Sequence, residues 1–598
     1  MPAAPALSAF PSAKSKAVPW AFALVLVAAA ACAYSNSLGV PFQFDDEFAI
    51  AGNLSIRHWA TALSPPMGTS VGGRPVVNAL FALNFAAGGL DVRGYHLLNL
   101  SLHCLAGLLV YGIVSRSLAH LRGREGSGEC AGFVTALIWI VHPLQTESVT
   151  YLSQRSESAM GLFYLATLYA FLRSASSPRR AGWATGAVVA CALGMGSKEV
   201  MVSAPVVVLA YDALIVSKSF SWAIRARRSF YLALAATWIP LAVLVASTGG
   251  DRGGSTGFHS GITWGEYLAT QFPAITRYLR LVFWPAPLVF DYGAFRVDSF
   301  ASVAPEALLV VLLIGATAWG VAQRRPSSFL GVWFLAVLAP TSIVPGAIQM
   351  IAEHRMYLPS VAVICGLVLA AEALVLRLVP ARGEGFLVGT ASLLAAALAT
   401  GTYLRNTDYR SPLSLWADTA LKRPDHALAH YNYANELAKD PGTLSRAITE
   451  YERALALRPH LPPAQYNFAV LLEGIPGRAE DAVSHYRQAV ADQPDYLEAQ
   501  NNLGAALARL GRLREAVGPL RKAHQLAPQS AAIARNLGTT CFLSGDYEGA
   551  VSAYLDSLRV DPRDVTTQKY VASAFFKLGR LEEAQAHANE ALRLEQGR

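Results

Sequence analysis

The chain has 598 residues, of which 53% are hydrophobic and only 15% are charged. Soluble domains carry about 25% charged residues, so this composition excludes a disordered chain and an ordinary soluble enzyme. Residues 405–598 hold 23 basic and 23 acidic side chains, so the net charge of +8 belongs to the preceding part and does not indicate nucleic-acid binding. The six cysteines include no CxxC pair, so neither a zinc site nor a disulfide framework is expected.

Eleven apolar runs precede residue 405, and each suits a hydrocarbon core of about 30 Å if short or tilted helices are allowed. They lie near 18–35, 95–114, 131–143, 157–173, 181–196, 200–217, 229–247, 303–322, 328–345, 356–373 and 386–404. The first run is also readable as a cleavable signal peptide, which orients the chain in the same way. The sequence therefore predicts a multi-span membrane part followed by a water-soluble part.

The cations of the membrane part fall mainly on one side of these runs. If the N-terminus is cytoplasmic, sixteen cations and about five acids face inward, as the positive-inside rule requires. An odd number of spans then places the C-terminal part outside. Residues 248–302 are predicted to form an outer excursion with an interfacial helix at 264–284, whose headgroup-level aromatic residues are Trp264, Tyr267, Tyr278 and Trp284.

The soluble part is a repeat array. Prolines recur at positions 424, 459, 494, 528 and 562, and this period of 34 or 35 residues predicts stacked helix pairs. The pattern resembles the tetratricopeptide repeat (TPR), most fully in 501–528, and predicts five repeats after a lead-in helix at 411–423. The predicted domains are a membrane domain in 1–404, a linker with a lead-in helix in 405–424, and a TPR domain in 425–598.

A TPR array is typically a surface that binds an extended peptide or a protein partner. Asparagines occupy similar positions in the first helices of the repeats and are candidates for holding a peptide backbone, namely Asn432, Asn467, Asn501, Asn502 and Asn536. The alternative interpretation is that these asparagines make local contacts between helices. The sequence leaves both interpretations open.

Ionisable residues cluster at the predicted outer ends of the spans, where such residues are expensive and indicate function. Five short outer loops each supply carboxylates, cations or histidines. The polar groups of these loops and of the neighbouring helix ends are Asp45, Asp46, Glu47, Arg74, Tyr95, His96, His142, Glu147, Arg155, Lys198, Glu199, His354, Arg355 and Tyr357. A carboxylate serves as a general base towards a hydroxyl, and cations stabilise a departing phosphate. This set of groups suits sugar transfer from a lipid-phosphate carrier.

The order of the motifs FDD, GRP, GYHLLNLSLH, HPLQTE, QRSE, SKE and EHRMYLPS, followed by TPRs, resembles the transmembrane-and-TPR-containing O-mannosyltransferases. The resemblance implies an all-α fold, with a GT-C-like bundle of about eleven spans before a TPR α-solenoid. It also implies transfer of a sugar, mannose in that family, from a polyprenyl or dolichyl phosphate to a Ser or Thr hydroxyl, with inversion at the anomeric carbon. The Ala/Arg/Gly-rich composition favours a bacterial member, with the TPR domain in the periplasm; a eukaryotic member would have lumenal TPRs in the ER.

The resemblance assigns the acidic catalytic motif to Asp45 and Asp46. It leaves open which of the two carboxylates is the general base. The candidates for binding the carrier phosphate are Arg74, Arg155, Lys198, His354 and Arg355. Possible supporting residues are Glu47, Tyr95, His96, His142, Glu147, Glu199 and Tyr357. No cofactor is expected; a divalent metal held by Asp45, Asp46, His142 and Glu147 is a less favoured alternative.

Two other functions compete with the transferase. A membrane-anchored TPR scaffold for envelope proteins would need only one anchor, whereas this chain has about 400 residues of membrane domain. A transporter would carry its charges near the bilayer midplane instead of at one surface. The expected partners are therefore a lipid-linked sugar, an acceptor protein at the TPR domain and the bilayer.

Overall fold

A computed structural model describes residues 17–249, 263–293, 295, 297, 299–346, 350–380 and 382–597. The predicted all-α fold is confirmed, because these residues form helices and connecting turns with no β-strand. The chain divides into two compact units, Met1–Arg423 and Pro424–Arg598. Part of the predicted outer excursion, 250–262, lies outside the described residues.

The first unit contains seventeen α-helices among its described residues. They are α1 (Ala17–Ala33), α2 (Pro75–Gly88), α3 (Val92–Arg122), α4 (Glu129–Ile140), α5 (Thr146–Thr150), α6 (Arg155–Ser176), α7 (Arg180–Met195), α8 (Ala204–Tyr211), α9 (Phe220–Ala226), α10 (Arg228–Ala236), α11 (Trp238–Ser247), α12 (Trp264–Phe283), α13 (Ala304–Ala322), α14 (Ser328–Ile343), α15 (Pro359–Leu378), α16 (Gly383–Asp408) and α17 (Pro412–Lys422). A 3₁₀ turn, Glu199–Ser203, precedes α8, and a π-helical turn, Asp212–Val216, extends it.

All eleven predicted apolar runs fall on helices. Among the described residues, six helical stretches are long and apolar enough to cross a membrane, compared with the eleven spans predicted. The six stretches are Val92–Arg122, Glu199–Val216, Arg228–Ser247, Phe300–Ala322, Pro359–Leu378 and Gly383–Asp408. The other five runs lie on α1, α4, α7 and α14, which are shorter, and on α6, which carries charges at both ends. The sequence does not predict α2, because its apolar run is only 14 residues long and is interrupted by two asparagines.

The core of the first unit lies where α3 packs against α4 and α6, and where α15 packs against α4 and α14. Trp139 of α4 is fully buried there. In contrast, α13 exposes a nearly continuous apolar surface that includes Leu308, Val311 and Leu312. Exposed apolar patches of this extent are rare on soluble monomers, so this surface suits contact with lipid.

The second unit consists of five helix pairs, as the repeat period predicts. The first helices are α18 (Ala427–Leu437), α20 (Pro462–Glu473), α22 (Leu497–Arg509), α24 (Ala531–Ser544) and α26 (Val565–Lys577), and their partners are α19 (Leu444–Leu457), α21 (Ala479–Asp492), α23 (Leu513–Leu526), α25 (Tyr547–Val560) and α27 (Leu581–Glu595). Gly477, Gly511, Gly545 and Gly579 have φ between 75° and 90°, which glycine adopts easily. These glycines therefore form the corners between the two helices of four repeats.

The close crossing of α22 and α23 within one repeat requires glycine at position 504, because this residue has no side chain. A Cβ there would lie 2.4 Å from Leu520 Cγ and 3.1 Å from the Ala516 carbonyl oxygen. In an open helix, Gly→Ala stabilises by about 1 kcal/mol, whereas overpacking a core costs about 1–3 kcal/mol. We therefore expect Gly504→Ala to lower the unfolding midpoint of the protein, measured by thermal unfolding. A raised midpoint would contradict the tight crossing of α22 and α23.

Candidate active site

Asp46 fastens the loop after α1 to the segment that precedes α6. Its carboxylate accepts hydrogen bonds from the backbone N–H of Gln43 at 3.1 Å and from the N–H and hydroxyl of Ser153 at 2.7 and 2.6 Å. The residue is 1% exposed. Burial disfavours the charged form and raises the pKa of Asp46 to about 7, although the three hydrogen bonds act in the opposite direction. Asp46 therefore holds two loops together and has little contact with solvent.

Asp45 is only partly buried. Its backbone N–H donates to the Tyr151 hydroxyl at 3.1 Å. Burial raises the pKa of the Asp45 carboxyl, while the Tyr151 hydroxyl and the positive charge of Arg74 lower it. The two adjacent carboxylates thus differ: Asp46 is held by hydrogen bonds inside the protein, and Asp45 reaches the surface beside a cation.

Arg74 lies at the beginning of α2 and is 8% exposed. One guanidinium nitrogen donates to the Ser70 carbonyl at 2.8 Å, and another lies 3.7 Å from a carboxylate oxygen of Glu199. Its buried Nε has no hydrogen-bond partner among the described residues. Burial lowers the pKa of Arg74 to about 10, opposed by the charges of Glu157 and Asp45, so the guanidinium stays protonated at neutral pH. The positive charge of Arg74 therefore acts on Asp45, while its direct ion-pair partner is Glu199.

Lys198 follows α7, and its ammonium group donates to a carboxylate oxygen of Glu157 in the first turn of α6. Both residues are buried. A buried ion pair of this kind holds its two segments together, and removal of either partner leaves an uncompensated charge. The pair therefore connects α6 with the segment between α7 and α8.

His354 and Glu147 form a second buried pair. The His354 ring Nδ1 lies 2.6 Å from one Glu147 carboxylate oxygen, and the His354 backbone N–H donates to the other at 3.0 Å. Burial lowers the pKa of His354 well below its usual value and raises that of Glu147 to about 7. The charges of Lys198, Arg355 and Arg74 also lower the pKa of His354, so these three cations share its neighbourhood.

Arg355, next in the chain, is partly exposed and donates to the Met350 carbonyl at 3.1 Å and to the Tyr267 hydroxyl at 3.4 Å. Tyr267 lies on α12, so the predicted helix at 264–284 exists and contacts the site. Tyr267 and Tyr278 are buried within the protein, whereas Trp264 and Trp284 are exposed, so the headgroup-level position of these four residues stays a prediction. One face of α12 therefore packs on the polar segment that contains Arg355.

Arg155 is fully buried, and its guanidinium donates to Asn99 Oδ1 and Asn84 Oδ1, both at 2.6 Å, and to two backbone carbonyls. It also lies over the ring of Phe81, 4.4 Å from the centroid. Arg155 thus connects α6 with α2 and α3. This bonding explains Arg155 as a structural residue and leaves it no exposed surface for the predicted contact with a phosphate.

Several predicted supporting residues also have internal partners. The bonds are Tyr95 Oη to the Gly89 carbonyl at 3.0 Å, His96 Nε2 to the Val40 carbonyl at 2.8 Å, Tyr357 Oη to His103 Nδ1 at 2.9 Å, and His142 Nε2 to the Val282 carbonyl at 3.1 Å. Glu199 pairs with Arg74, and Glu47 is exposed at the start of a π-helical turn, Glu47–Ala51. Most of this set therefore packs around the site instead of facing an open surface.

The predicted metal alternative is not assembled. His142 uses Nε2 for the Val282 carbonyl and Nδ1 to accept from the Leu144 N–H at 3.2 Å, so neither nitrogen is available as a ligand. In the part of the chain that the structure describes, no three His, Cys, Asp or Glu side chains come together as a metal site. Asp45, Asp46, His142 and Glu147 therefore do not form one donor set.

Several residues that shape the site were not predicted from the sequence. Tyr151 and Ser153, which lie between the motifs HPLQTE and QRSE, contact the two aspartates. Val289 and Tyr292 also contribute, because the Val289 N–H and the Tyr292 hydroxyl donate to Glu353 of the EHRMYLPS motif at 2.6 and 2.7 Å. The signal for Tyr151 and Ser153 was the density of polar residues in one short segment, but nothing in the sequence indicated Val289 or Tyr292.

The lead-in helix α17 packs against the loops of the first unit. Trp416 contacts the rings of Phe44 and Phe290, with centroids 5.7 and 5.5 Å away. Lys422 Nζ donates to the Leu288 carbonyl at 2.9 Å. Residues 405–423 therefore belong to the compact unit that contains Asp45, instead of forming a free linker.

The TPR asparagines mainly contact neighbouring repeats. Asn467 Nδ2 donates to the Tyr431 hydroxyl at 2.9 Å and to Asn435 Oδ1 at 3.1 Å, and Asn502 Nδ2 donates to the Tyr466 hydroxyl at 3.1 Å. Asn501 Nδ2 donates to Asn502 Oδ1 at 3.2 Å. These bonds favour the local interpretation at the three positions; for Asn432 and Asn536 a peptide-binding role stays a prediction.

Comparison with known proteins agrees with this architecture. Family models of the tetratricopeptide repeat match 476–511, 495–563 and 536–597. Protein O-mannosyl-transferase F38B6.6 of Caenorhabditis elegans is 24% identical over 463 residues, which cover 73% of this chain and 62% of that protein. The chain is similar to protein O-mannosyl-transferases. Protein O-mannosyl-transferase TMTC1 of Homo sapiens is 24% identical over 503 residues, covering 73% of this chain and 55% of its own length.

The relatives share only part of their length with this chain. Protein O-mannosyl-transferase tmtc2 of Xenopus laevis is 32% identical over 156 residues, which cover 24% of this chain and 18% of that protein. Among solved structures, YrrB, described as a TPR protein with an unusual peptide-binding site, is 18% identical with a TM-score of 0.29, covering 30% of this chain and 92% of its own. The chain thus spans less than two thirds of the curated relatives it matches.

Proposed function

We propose that this chain is an integral-membrane glycosyltransferase that moves mannose from a polyprenyl phosphate to Ser or Thr hydroxyls of proteins. The observation that carries the proposal is Asp45, a partly exposed carboxylate on which the charge of Arg74 acts, Arg74 being itself one of the three cations whose charges act on His354. The names of the relatives support the reaction class. We place the site on the outer face of a bacterial inner membrane, with the N-terminus in the cytoplasm.

In this mechanism Asp45 is the general base. Its carboxylate takes the proton of the acceptor hydroxyl as the hydroxyl oxygen attacks the anomeric carbon of the donor sugar. A new carbon–oxygen bond forms on one face while the bond from the anomeric carbon to the phosphate oxygen breaks on the other, which inverts the configuration. The leaving phosphate keeps the bonding electron pair, and Asp45 ends protonated. Asp46 holds the loop that carries Asp45.

Arg74 and Arg355 are the phosphate-binding cations of this proposal. Cations fixed in place before the reaction stabilise the charge that develops on the leaving phosphate. Lys198 and His354 belong to the same cluster, but each is already paired with a carboxylate, Glu157 and Glu147 respectively. We therefore assign these two residues to positioning, and leave Arg155 out of the donor site because its guanidinium is bonded inside the fold.

The TPR domain is proposed to bind the acceptor protein. Five stacked repeats form a surface large enough for an extended segment, which suits a protein acceptor better than a small molecule. The alternative is that the whole chain is a scaffold for envelope proteins and transfers nothing.

A transfer assay decides between these functions. Purified protein in lipid vesicles is given polyprenyl-phosphate mannose with a labelled sugar and a mixture of outer-compartment proteins. We expect label on protein that alkaline β-elimination releases, as a sugar linked to Ser or Thr oxygen does. If neither mannose nor other lipid-phosphate sugars are transferred, the glycosyltransferase proposal is wrong and the scaffold is favoured.

The rate of transfer should depend on pH through Asp45. A general base must be ionised, and burial raises the pKa of this carboxyl above its usual value. We therefore expect kcat/KM to fall as pH decreases through a pKa higher than that of a free aspartate. The profile is measured with wild type and with Tyr151→Phe, which removes a hydroxyl that lowers the pKa and so shifts the acidic limb to higher pH. If the acidic limb of the kcat/KM profile lies at the same pH in Tyr151→Phe and in wild type, the contact between Tyr151 and Asp45 is contradicted.

A further inference from the structure

A largely apolar cavity of about 210 Å³ lies between α3, α6, α8, α14 and α15. Its walls include Val114, Leu118, Leu168, Phe329 and Trp333. Two hydroxyls in the wall, of Ser117 and Tyr211, hydrogen bond to each other at 2.6 Å and so offer little to a polar ligand. An apolar cavity in a chain of membrane-spanning helices suits a hydrocarbon chain.

One end of this cavity is remote from the polar cluster. On α3, Asn99 contacts Arg155 near the cluster, whereas Leu118 lines the cavity nineteen residues later. At 1.5 Å per residue, the two positions are about 28 Å apart along the helix. The cavity wall therefore includes the end of α3 opposite the polar cluster, while Val361 and Ala362, six and seven residues after Arg355, line its other end.

Two cations lie at this end of the cavity. Lys218 follows the cavity-lining Ile215 by three residues, and Arg324 precedes the cavity-lining Pro326 by two. Both are exposed, and both have φ of 54°, an uncommon value for residues other than glycine. Arg324 Nη1 donates to the Lys218 carbonyl at 3.5 Å, so the two turns touch.

Arg325, between Arg324 and the cavity-lining Pro326, is exposed as well, and its guanidinium lies 4.3 Å from the centroid of the Trp319 ring. Arg122 at the end of α3 forms an ion pair with Glu372 of α15. His120 hydrogen bonds to the Ile215 backbone. The charge of Lys218 acts on His120, so the three groups are close together. The end of the cavity next to Lys218 and Arg324 therefore combines an apolar interior with a positive rim.

We propose that this cavity binds an anionic phospholipid, with one acyl chain between α3, α6 and α14 and its phosphate at Lys218 and Arg324. The apolar wall selects a hydrocarbon chain, and the positive rim selects an anionic headgroup over a zwitterionic one. The site does not depend on the proposed transferase function, and its occupant is a lipid of the surrounding membrane.

Trp333 makes the site observable, because bromine atoms on a bound acyl chain quench a neighbouring indole. The full-length protein in mild detergent is titrated with brominated phosphatidylglycerol and, separately, with brominated phosphatidylcholine. The fluorescence of Trp333→Phe is subtracted to isolate the signal of Trp333 from the other ten tryptophans of the eleven in the chain. We expect saturable quenching of Trp333 by phosphatidylglycerol at much lower concentration than by phosphatidylcholine.

The rim is tested by Lys218→Gln with Arg324→Gln. Each cation near an anionic lipid contributes about a fivefold factor, so the half-quenching concentration of phosphatidylglycerol should rise about thirtyfold. The matched control replaces two other exposed cations, Arg179 and Arg180, with Gln. This control should leave the half-quenching concentration of phosphatidylglycerol unchanged. A second variant, Val114→Phe, fills the cavity and should abolish the quenching of Trp333. Because Lys218 and Arg324 are exposed, their variants should keep the wild-type unfolding midpoint.

Three results would overturn the proposal. Equal quenching by the two phospholipids means that the rim does not select charge. An equal loss of affinity for brominated phosphatidylglycerol in the rim variant and in its control means that the effect comes from general surface electrostatics. Displacement of brominated phosphatidylglycerol by a lower concentration of polyprenyl phosphate means that the cavity binds the isoprenoid carrier instead. The transfer assay measures label on acceptor protein and not quenching of Trp333, so the failure of this inference and of the proposed function are distinguishable.

Discussion

Asp45→Asn is expected to reduce the rate of sugar transfer by a factor of about 10²–10⁴, the usual contribution of a general base. The substitution keeps the shape of the side chain and removes its ability to accept a proton. Because Asp45 is partly exposed, the fold should tolerate the change. The measurement is kcat for transfer from polyprenyl-phosphate mannose, with the unfolding midpoint of the same preparation.

The matched control for this prediction is Asp46→Asn. An asparagine there presents an NH₂ group to one of the donors from Gln43 and Ser153, which leaves a buried donor unsatisfied at a cost of about 1–3 kcal/mol. We expect Asp46→Asn to lower the unfolding midpoint and to lose less activity than Asp45→Asn. If Asp46→Asn is the inactive variant and keeps its stability, then Asp46 is the base and the roles of the two aspartates are reversed.

Lys198→Met is expected to destabilise the protein by about 3–5 kcal/mol, because it leaves Glu157 buried without its cation. Replacement of both partners by apolar residues removes the unpaired charge. The double variant Lys198→Met with Glu157→Leu should therefore recover most of the lost stability. The measurement is thermal unfolding of the full chain in detergent, for both single variants and the double variant.

The same variants separate a structural role of Lys198 from a role in donor binding. If the double variant recovers both stability and the KM for the lipid-linked sugar, Lys198 acts only through its pair with Glu157. If stability recovers while the KM for the donor stays raised, Lys198 contacts the phosphate directly. Full stability of Lys198→Met alone would contradict the buried ion pair.

The periodic features of the chain followed from the sequence. The 34-residue period located the TPR helix pairs and the glycines between their helices, because every repeat packs mainly on its neighbours in the chain. The apolar runs located the helices of the membrane part, because burial in lipid or in a helical core requires such runs. Helix α2 was not predicted, and the number of helices long enough to span was overestimated, since a run of 14 apolar residues suits either a core helix or a membrane-associated one.

The roles of the charged residues depended on contacts between distant segments. Asp46 meets Ser153 across 107 residues, and Glu147 meets His354 across 207. The sequence predicts Arg155 and Lys198 as phosphate ligands like Arg74, since their local sequences do not reveal partners elsewhere in the chain. The fold distinguishes them, because Arg155 is hydrogen bonded within the helices and Lys198 is paired with Glu157.

By itself the sequence determined which residue types occur, in which order, and at which ends of the helices: two adjacent aspartates after the first apolar run, and cations after several later ones. Only the tertiary structure decided that Asp46 is buried under three hydrogen bonds while Asp45 lies beside Arg74. The physical reason is that helix formation and lipid burial are set by residues near in the chain. The hydrogen-bond partners and the pKa of a buried side chain are set by whatever the packing of remote helices brings to it.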